Sequence, residues 1–165
     1  MIKFLAFLSV LFLLSCKTTT YYISRHAEKG GTSMATDPPL TSEGEKQALD
    51  LKDYLTGKNI KTIYSTNFIR TKATAQPTSL MVNVPLKIYA PSSNNALVDS
   101  LRKISKGNVL VVGHSNTVDD IANGLTGTNN MSDLADNEYG NLFIVKKRGN
   151  SYSFERIQVP PTTPR

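Results

Sequence analysis

From Thr18 to Gly124 the chain alternates stretches that read as strands with stretches that read as helices, and this order restricts the fold more than any other feature. Residues 18–24 are rich in β-branched and aromatic side chains and read as a strand. A loop rich in Gly, Ser, Asp and Pro covers 29–39. Ser42 and Glu45 then have capping-box spacing, and Ala48, Leu51 and Leu55 follow at helical intervals until Gly57. Residues 61–65 read as a short strand, and the next helix carries Arg70, Ala73 and Ala75 and is interrupted at Pro77. Residues 85–89 read as a strand, 95–105 as a helix, 109–112 as a buried strand by their unbroken apolar run, and 117–124 as a helix. Two strands, 141–147 and 151–159, meet at Gly149-Asn150 as an antiparallel hairpin, and 160–165 read as a frayed tail. Alternation of this kind implies an α/β fold: a three-layer α/β/α sandwich with a mostly parallel central sheet and antiparallel C-terminal strands.

The N-terminal residues read as an address. Met1-Ile2-Lys3 is a short positive region, and Phe4 to Leu14 is an almost unbroken apolar run. As a helix this run would be about 16 Å long, roughly half a bilayer core, so it reads as a signal-peptide segment and not as a membrane span. Leu13-Leu14-Ser15-Cys16 resembles a bacterial lipobox, with Leu14 bulkier than the usual small residue. The resemblance implies cleavage of residues 1–15 and lipid attachment at Cys16. The expected product is an exported lipoprotein, periplasmic or on the outer surface, held to a membrane by its acyl chains. Cys16 is the sole cysteine, which rules out a disulfide framework and paired-cysteine zinc sites.

Residues 16–165 are one domain's worth of chain. A net charge of +6 suits anionic partners, but the basic residues are dispersed. Only Lys146-Lys147-Arg148 forms a run, beside a turn, and no alternation of aromatic and basic residues suits base stacking, so nucleic acid is not an expected partner.

The polar chemistry gathers at strand ends, where open α/β sheets carry their sites. The first strand ends in Ser24-Arg25-His26-Ala27-Glu28, the second in Ser65-Thr66-Asn67 with Arg70-Thr71 a turn later, and the fourth in Gly113-His114-Ser115 before a helix. Planar guanidiniums and a helix N-terminus suit a phosphoryl group. Two guanidiniums and an imidazolium would hold a phosphoryl dianion. With no P-loop and no paired acidic metal ligands in the sequence, covalent transfer through histidine, without metal or cofactor, is the chemistry that fits.

Four segments in order, Arg25-His26-Ala27-Glu28, Leu40-Thr41-x-x-Gly44-x-x-Gln47-Ala48, Tyr64-Ser65-Thr66 with Arg70-Thr71-x-x-Thr74-Ala75, and Gly113-His114-Ser115, resemble the histidine phosphatase superfamily, the phosphoglycerate-mutase-like clan. In its brevity and in Ala27, which stands where glycine is usual, the chain resembles the small phosphohistidine-phosphatase-like branch. The resemblance implies that His26 is the nucleophile of a metal-independent phosphatase and that Arg25, Arg70, His114 and Ser115 bind the phosphoryl oxygens. Many relatives carry a glutamate acid after the third strand, where this chain has Ala90-Pro91-Ser92-Ser93-Asn94-Asn95. Glu28, Asp37 and Glu138 are the candidates to protonate the leaving oxygen, Glu28 first among them. Expected substrates are phosphorylated small molecules, phosphohistidine or phosphoproteins. The competing reading is a lipoprotein that binds phosphate or phosphorylated ligands with little turnover. Mutases of the clan are expected to be longer than this chain.

Overall fold

The computed structural model describes residues 18–31 and 36–162. The signal segment, Cys16 and Lys17 lie outside the described residues.

The elements in chain order are β1 (Thr18–Arg25), α1 (Ser42–Tyr54), β2 (Ile60–Thr66), α2 (Ile69–Val82), β3 (Leu86–Tyr89), a single 3₁₀ turn (Pro91–Ser93), α3 (Asn94–Arg102), β4 (Asn108–Gly113), α4 (Val118–Thr126), β5 (Asn141–Arg148) and β6 (Ser151–Gln158). They build one six-stranded sheet in the order β3-β2-β4-β1-β5-β6. The first four strands in that order are parallel, β5 runs antiparallel to its neighbour β1, and β6 runs antiparallel to β5. Strand alternation divides the core between the two faces. Tyr21, Ile23, Val109, Val111 and Phe143 pack with Leu97, Leu101, Ile121 and Leu125 of α3 and α4. Tyr22, Ile63, Leu110, Val112 and Leu142 pack with Leu51, Leu55 and Ala75 on the side of α1 and α2. The three-layer sandwich expected from the sequence is therefore observed.

Details at three helix and chain ends differ from the sequence reading. The cap of α1 is Thr41, whose Oγ1 accepts from Gly44 N at 3.0 Å, so the Ser42–Glu45 spacing lies one residue inside the helix. Pro77 does not interrupt α2, which continues to Val82 and ends at Asn83 in the left-handed region. Thr71, Thr74, Ala75, Thr78 and Ser79 of α2 are buried, and this packing outweighs the one lost backbone bond. Residues 160–162 are not frayed: Thr162 donates from both N and Oγ1 to Asp50 Oδ1, each at 2.8 Å, which holds them against α1.

Candidate active site

Parallel pairing brings the strand ends together. Arg25 of β1 stands in register with Gly113 of β4, and Ser65 of β2 with Val112, so residues just past the strands emerge at one edge. His26 N donates to Gly113 O at 2.9 Å, and the His26 and His114 rings lie edge to face with centroids 5.6 Å apart. Gly113 is required here, because a Cβ would meet Tyr89 Oη at 2.7 Å.

The loop carrying His26 is supported by the second and third motif segments. Ala27 N donates to Thr74 Oγ1 and Glu28 N to Gln47 Oε1, each at 2.9 Å. Thr41 N donates to Glu28 O at 3.0 Å. A Cβ on Gly44 would overlap the same Glu28 carbonyl oxygen, so glycine lets the start of α1 lie directly on the loop. These residues act as scaffold for the nucleophile candidate.

Arg25, His26, Arg70, His114 and Ser115 line one open pocket together with Lys29, Phe68 and Asp136. His26 is 3% exposed. Its Nδ1–H donates to Ala27 O at 2.8 Å, because a carbonyl only accepts, and Nε2 is left as the basic nitrogen. Burial, with the neighbouring Arg25, Arg70 and His114 adding, pushes the His26 pKa down to about 3. The ring therefore stays neutral well below the ordinary histidine value. His114 is pushed down to about 4, by burial first and then by Arg70 and Arg25. With only the protein's charges around it His114 is held toward the neutral form.

The two guanidiniums are held differently. Arg25 Nη1 donates to the carbonyls of Ala135 (2.7 Å) and Glu138 (3.3 Å), and its Cζ sits 4.3 Å from the Tyr139 ring centroid. Arg70 pairs with Asp37 at 3.0 Å, and its Cζ lies 4.5 Å from the Phe68 ring centroid. The Nε atoms of both arginines are buried without a partner among the described residues, donors suited to an anion.

The three carboxylates considered from the sequence are each bonded to other groups of the protein, and none of them lines the pocket. Glu28, placed first as the acid, accepts from Thr41 Oγ1 at 2.9 Å at the start of α1 and does not line the pocket. Asp37 accepts from Ile69 N (3.0 and 2.9 Å) and caps α2 while holding Arg70. Glu138 accepts from Ala135 N at 2.7 Å and Arg156 at 2.9 Å, contacts that hold its pKa below the usual value. The carboxylate that does line the pocket is Asp136, which the sequence reading missed. The available signal was an acidic cluster, Asp133, Asp136 and Glu138, in a basic chain. Phe68 and Tyr139 were missed as well, and Thr66 was read only as part of a motif, since their roles depend on what they stack on or bond to. Among the described residues no group of three or more His, Cys, Asp or Glu side chains is arranged to hold a metal ion.

The family model described as histidine phosphatase superfamily (branch 1) matches residues 21–90. No curated protein matches the chain. Among solved structures, the fold is similar to the protein histidine phosphatase SixA complexed with tungstate, at 16% identity and TM-score 0.66, covering 84% of this chain and 96% of that one. It is also similar to a mycobacterial glucosyl-3-phosphoglycerate phosphatase, at 10% identity and TM-score 0.70, covering 87% and 100%. A phosphoglycerate mutase from Bacillus anthracis str. Sterne gives 15% identity and TM-score 0.67, covering 87% and 94%. The resemblance to the histidine phosphatase superfamily holds in sequence over residues 21–90 and in fold over more than four-fifths of the chain.

Proposed function

We propose that this chain is an exported, lipid-anchored phosphatase that hydrolyses phosphomonoesters or phosphohistidine through a phosphohistidine on His26. The observation that carries the reading is a buried, neutral His26 whose Nδ1–H is spent on Ala27 O, so that basic Nε2 shares a pocket with two guanidiniums. In the first step Nε2 attacks phosphorus in line, the bond from phosphorus to the leaving oxygen breaks, and Asp136, which lines the pocket, relays a proton from solvent to that oxygen. In the second step water attacks phosphorus, its proton passes to Asp136, the phosphorus–nitrogen bond breaks, and inorganic phosphate leaves. Arg25, Arg70, His114 and Ser115 bind the phosphoryl oxygens throughout and stabilise the charge spread over them in transfer. The reaction uses the chain's own groups and should be insensitive to EDTA.

A second reading, a phospho-ligand-binding lipoprotein with little turnover, is favoured by the engagement of Glu28, Asp37 and Glu138 outside the reacting positions. Turnover of p-nitrophenyl phosphate separates the two. On the phosphatase reading His26→Ala lowers kcat by ~10³-fold or more, and an acid quench of the wild type traps an acid-labile phosphoenzyme. A folded His26→Ala variant with undiminished turnover would overturn covalent catalysis through His26.

A further inference from the structure

The hydroxyls behind His114 form a chain whose direction is determined by where it ends. Thr71 Oγ1 lies 2.9 Å from Thr66 O and 3.0 Å from Phe68 O. Carbonyl oxygens only accept, so the single Thr71 proton is committed to them. Thr66 Oγ1 is 2.9 Å from Thr71 Oγ1 and must donate in that direction. His114 Nε2 is 3.0 Å from Thr66 Oγ1, where only a lone pair remains, so Nε2 carries a proton and donates it. Both threonines are fully buried, so solvent does not compete for these bonds. The opposite ring atom, Nδ1, is then unprotonated, with Arg70 Nη2 at 3.5 Å. His26 has the reverse arrangement, with its proton on Nδ1.

We propose that Thr66 is a positioning residue that locks His114 in the Nε2–H tautomer and so presents Nδ1 to the phosphoryl group as a proton acceptor. The part that concerns catalysis rests on the phosphatase reading above; the tautomer does not. A phosphate ester that enters as its monoanion gives its P–OH proton to Nδ1. The bond from oxygen to hydrogen breaks, a bond from Nδ1 to hydrogen forms, and an imidazolium faces a phosphoryl dianion with no net gain or loss of protons. One ring N–H then serves the phosphoryl oxygen and the other Thr66. The positive charge absent from His114 in the protein alone is supplied by the substrate's own proton.

The test is a ¹⁵N histidine NMR spectrum of the full chain, read beside kinetics on p-nitrophenyl phosphate. Wild type should show His114 as the Nε2–H tautomer and His26 as Nδ1–H. Thr66→Val should abolish the His114 preference and lower kcat by about tenfold, the equivalent of one hydrogen bond, with Thr66→Ser restoring both. Thr71→Val removes the acceptor of the Thr66 proton, turns that proton toward Nε2, and should drive His114 to Nδ1–H. A wild-type His114 found as Nδ1–H, or a Thr71→Val spectrum unchanged at His114, would overturn the proposal, and the second variant decides it should Thr66→Val fail to fold. A wild type with the expected tautomers but no turnover of any phosphate ester would instead overturn the phosphatase reading and leave the lock standing.

Discussion

His26 and His114 show how a residue's chemistry is set by its surroundings. Both have pKa values, about 3 and about 4, below the roughly 6.5 of an unfolded histidine. Between those limits the unfolded chain binds more protons than the folded one, so stability rises with pH there. It should be lost progressively as pH falls from about 6.5 toward 4, and the penalty should be absent above about 6.5. The same shift governs the free enzyme's acid limb. We expect kcat/KM on an aryl phosphate to hold down to about pH 5 and to fall as His114, near 4, and then His26, near 3, take up protons, whereas a limb centred near 6.5 would mean that these rings titrate as ordinary histidines. The leaving-group acid is also decided at this scale. Asp136→Asn should cost about 10²-fold on alkyl phosphates and far less on aryl phosphates, whose leaving groups need little protonation. Glu28→Gln, in contrast, should affect both classes alike, because Glu28 touches Thr41 and not the pocket. A leaving-group dependence seen for Glu28 and not for Asp136 would reverse the assignment.

At the scale of elements, the start of α1 is what positions His26, the proposed nucleophile. Its Gly44 and Gln47 and the Thr41 cap all meet Glu28, two residues beyond His26, and Thr74 of α2 holds Ala27 between them. A side chain at position 44 must push the Glu28 carbonyl away, and the displacement is transmitted to His26 through Ala27. Gly44→Ala should therefore destabilise the fold by about 1–3 kcal/mol, as overpacking does, and also lower kcat in the folded fraction. Chemical denaturation and kinetics on the same sample check this. A variant that loses stability with kcat intact would make Gly44 a packing residue alone. α2 contributes through its first turn, where Asp37 caps Ile69 and pairs with Arg70, so that one carboxylate fixes both the helix start and the guanidinium.

For the whole molecule, the parallel part of the sheet sends the carboxyl ends of β1, β2 and β4 to one edge, opposite the end at which β1 begins. If Cys16 carries lipid, only Lys17 separates it from β1, and His26 stands no more than about 36 Å above the bilayer. Among the described residues no helix is long and apolar enough to cross a membrane. On this proposal the pocket opens away from the lipid toward soluble substrates. Cys16→Ser should move the protein to the soluble fraction with unchanged activity on small phosphate esters. Activity that required the membrane, or a preference for lipid phosphates in the same bilayer, would overturn this orientation.

The order of elements, the two faces of the sheet and the gathering of Arg25, His26, Arg70 and His114 were legible in the sequence. Hydrophobic period is a local property, and parallel strands carry their ends to a common edge. Local pattern also explains where the reading went astray. Capping spacing around Ser42 differed by one residue from the true cap at Thr41, and Pro77 looked like a stop until the packing of α2 was known. Which carboxylate faces the pocket was decided only in three dimensions. Glu28 is adjacent to the nucleophile in sequence but turned to α1, while Asp136 arrives from a remote loop that Arg25 ties down through Ala135 and Glu138. The tautomers and the depressed pKa values belong to the tertiary structure for the same reason. They depend on burial and on hydrogen bonds between distant residues, such as Thr66 with His114, which no local pattern encodes.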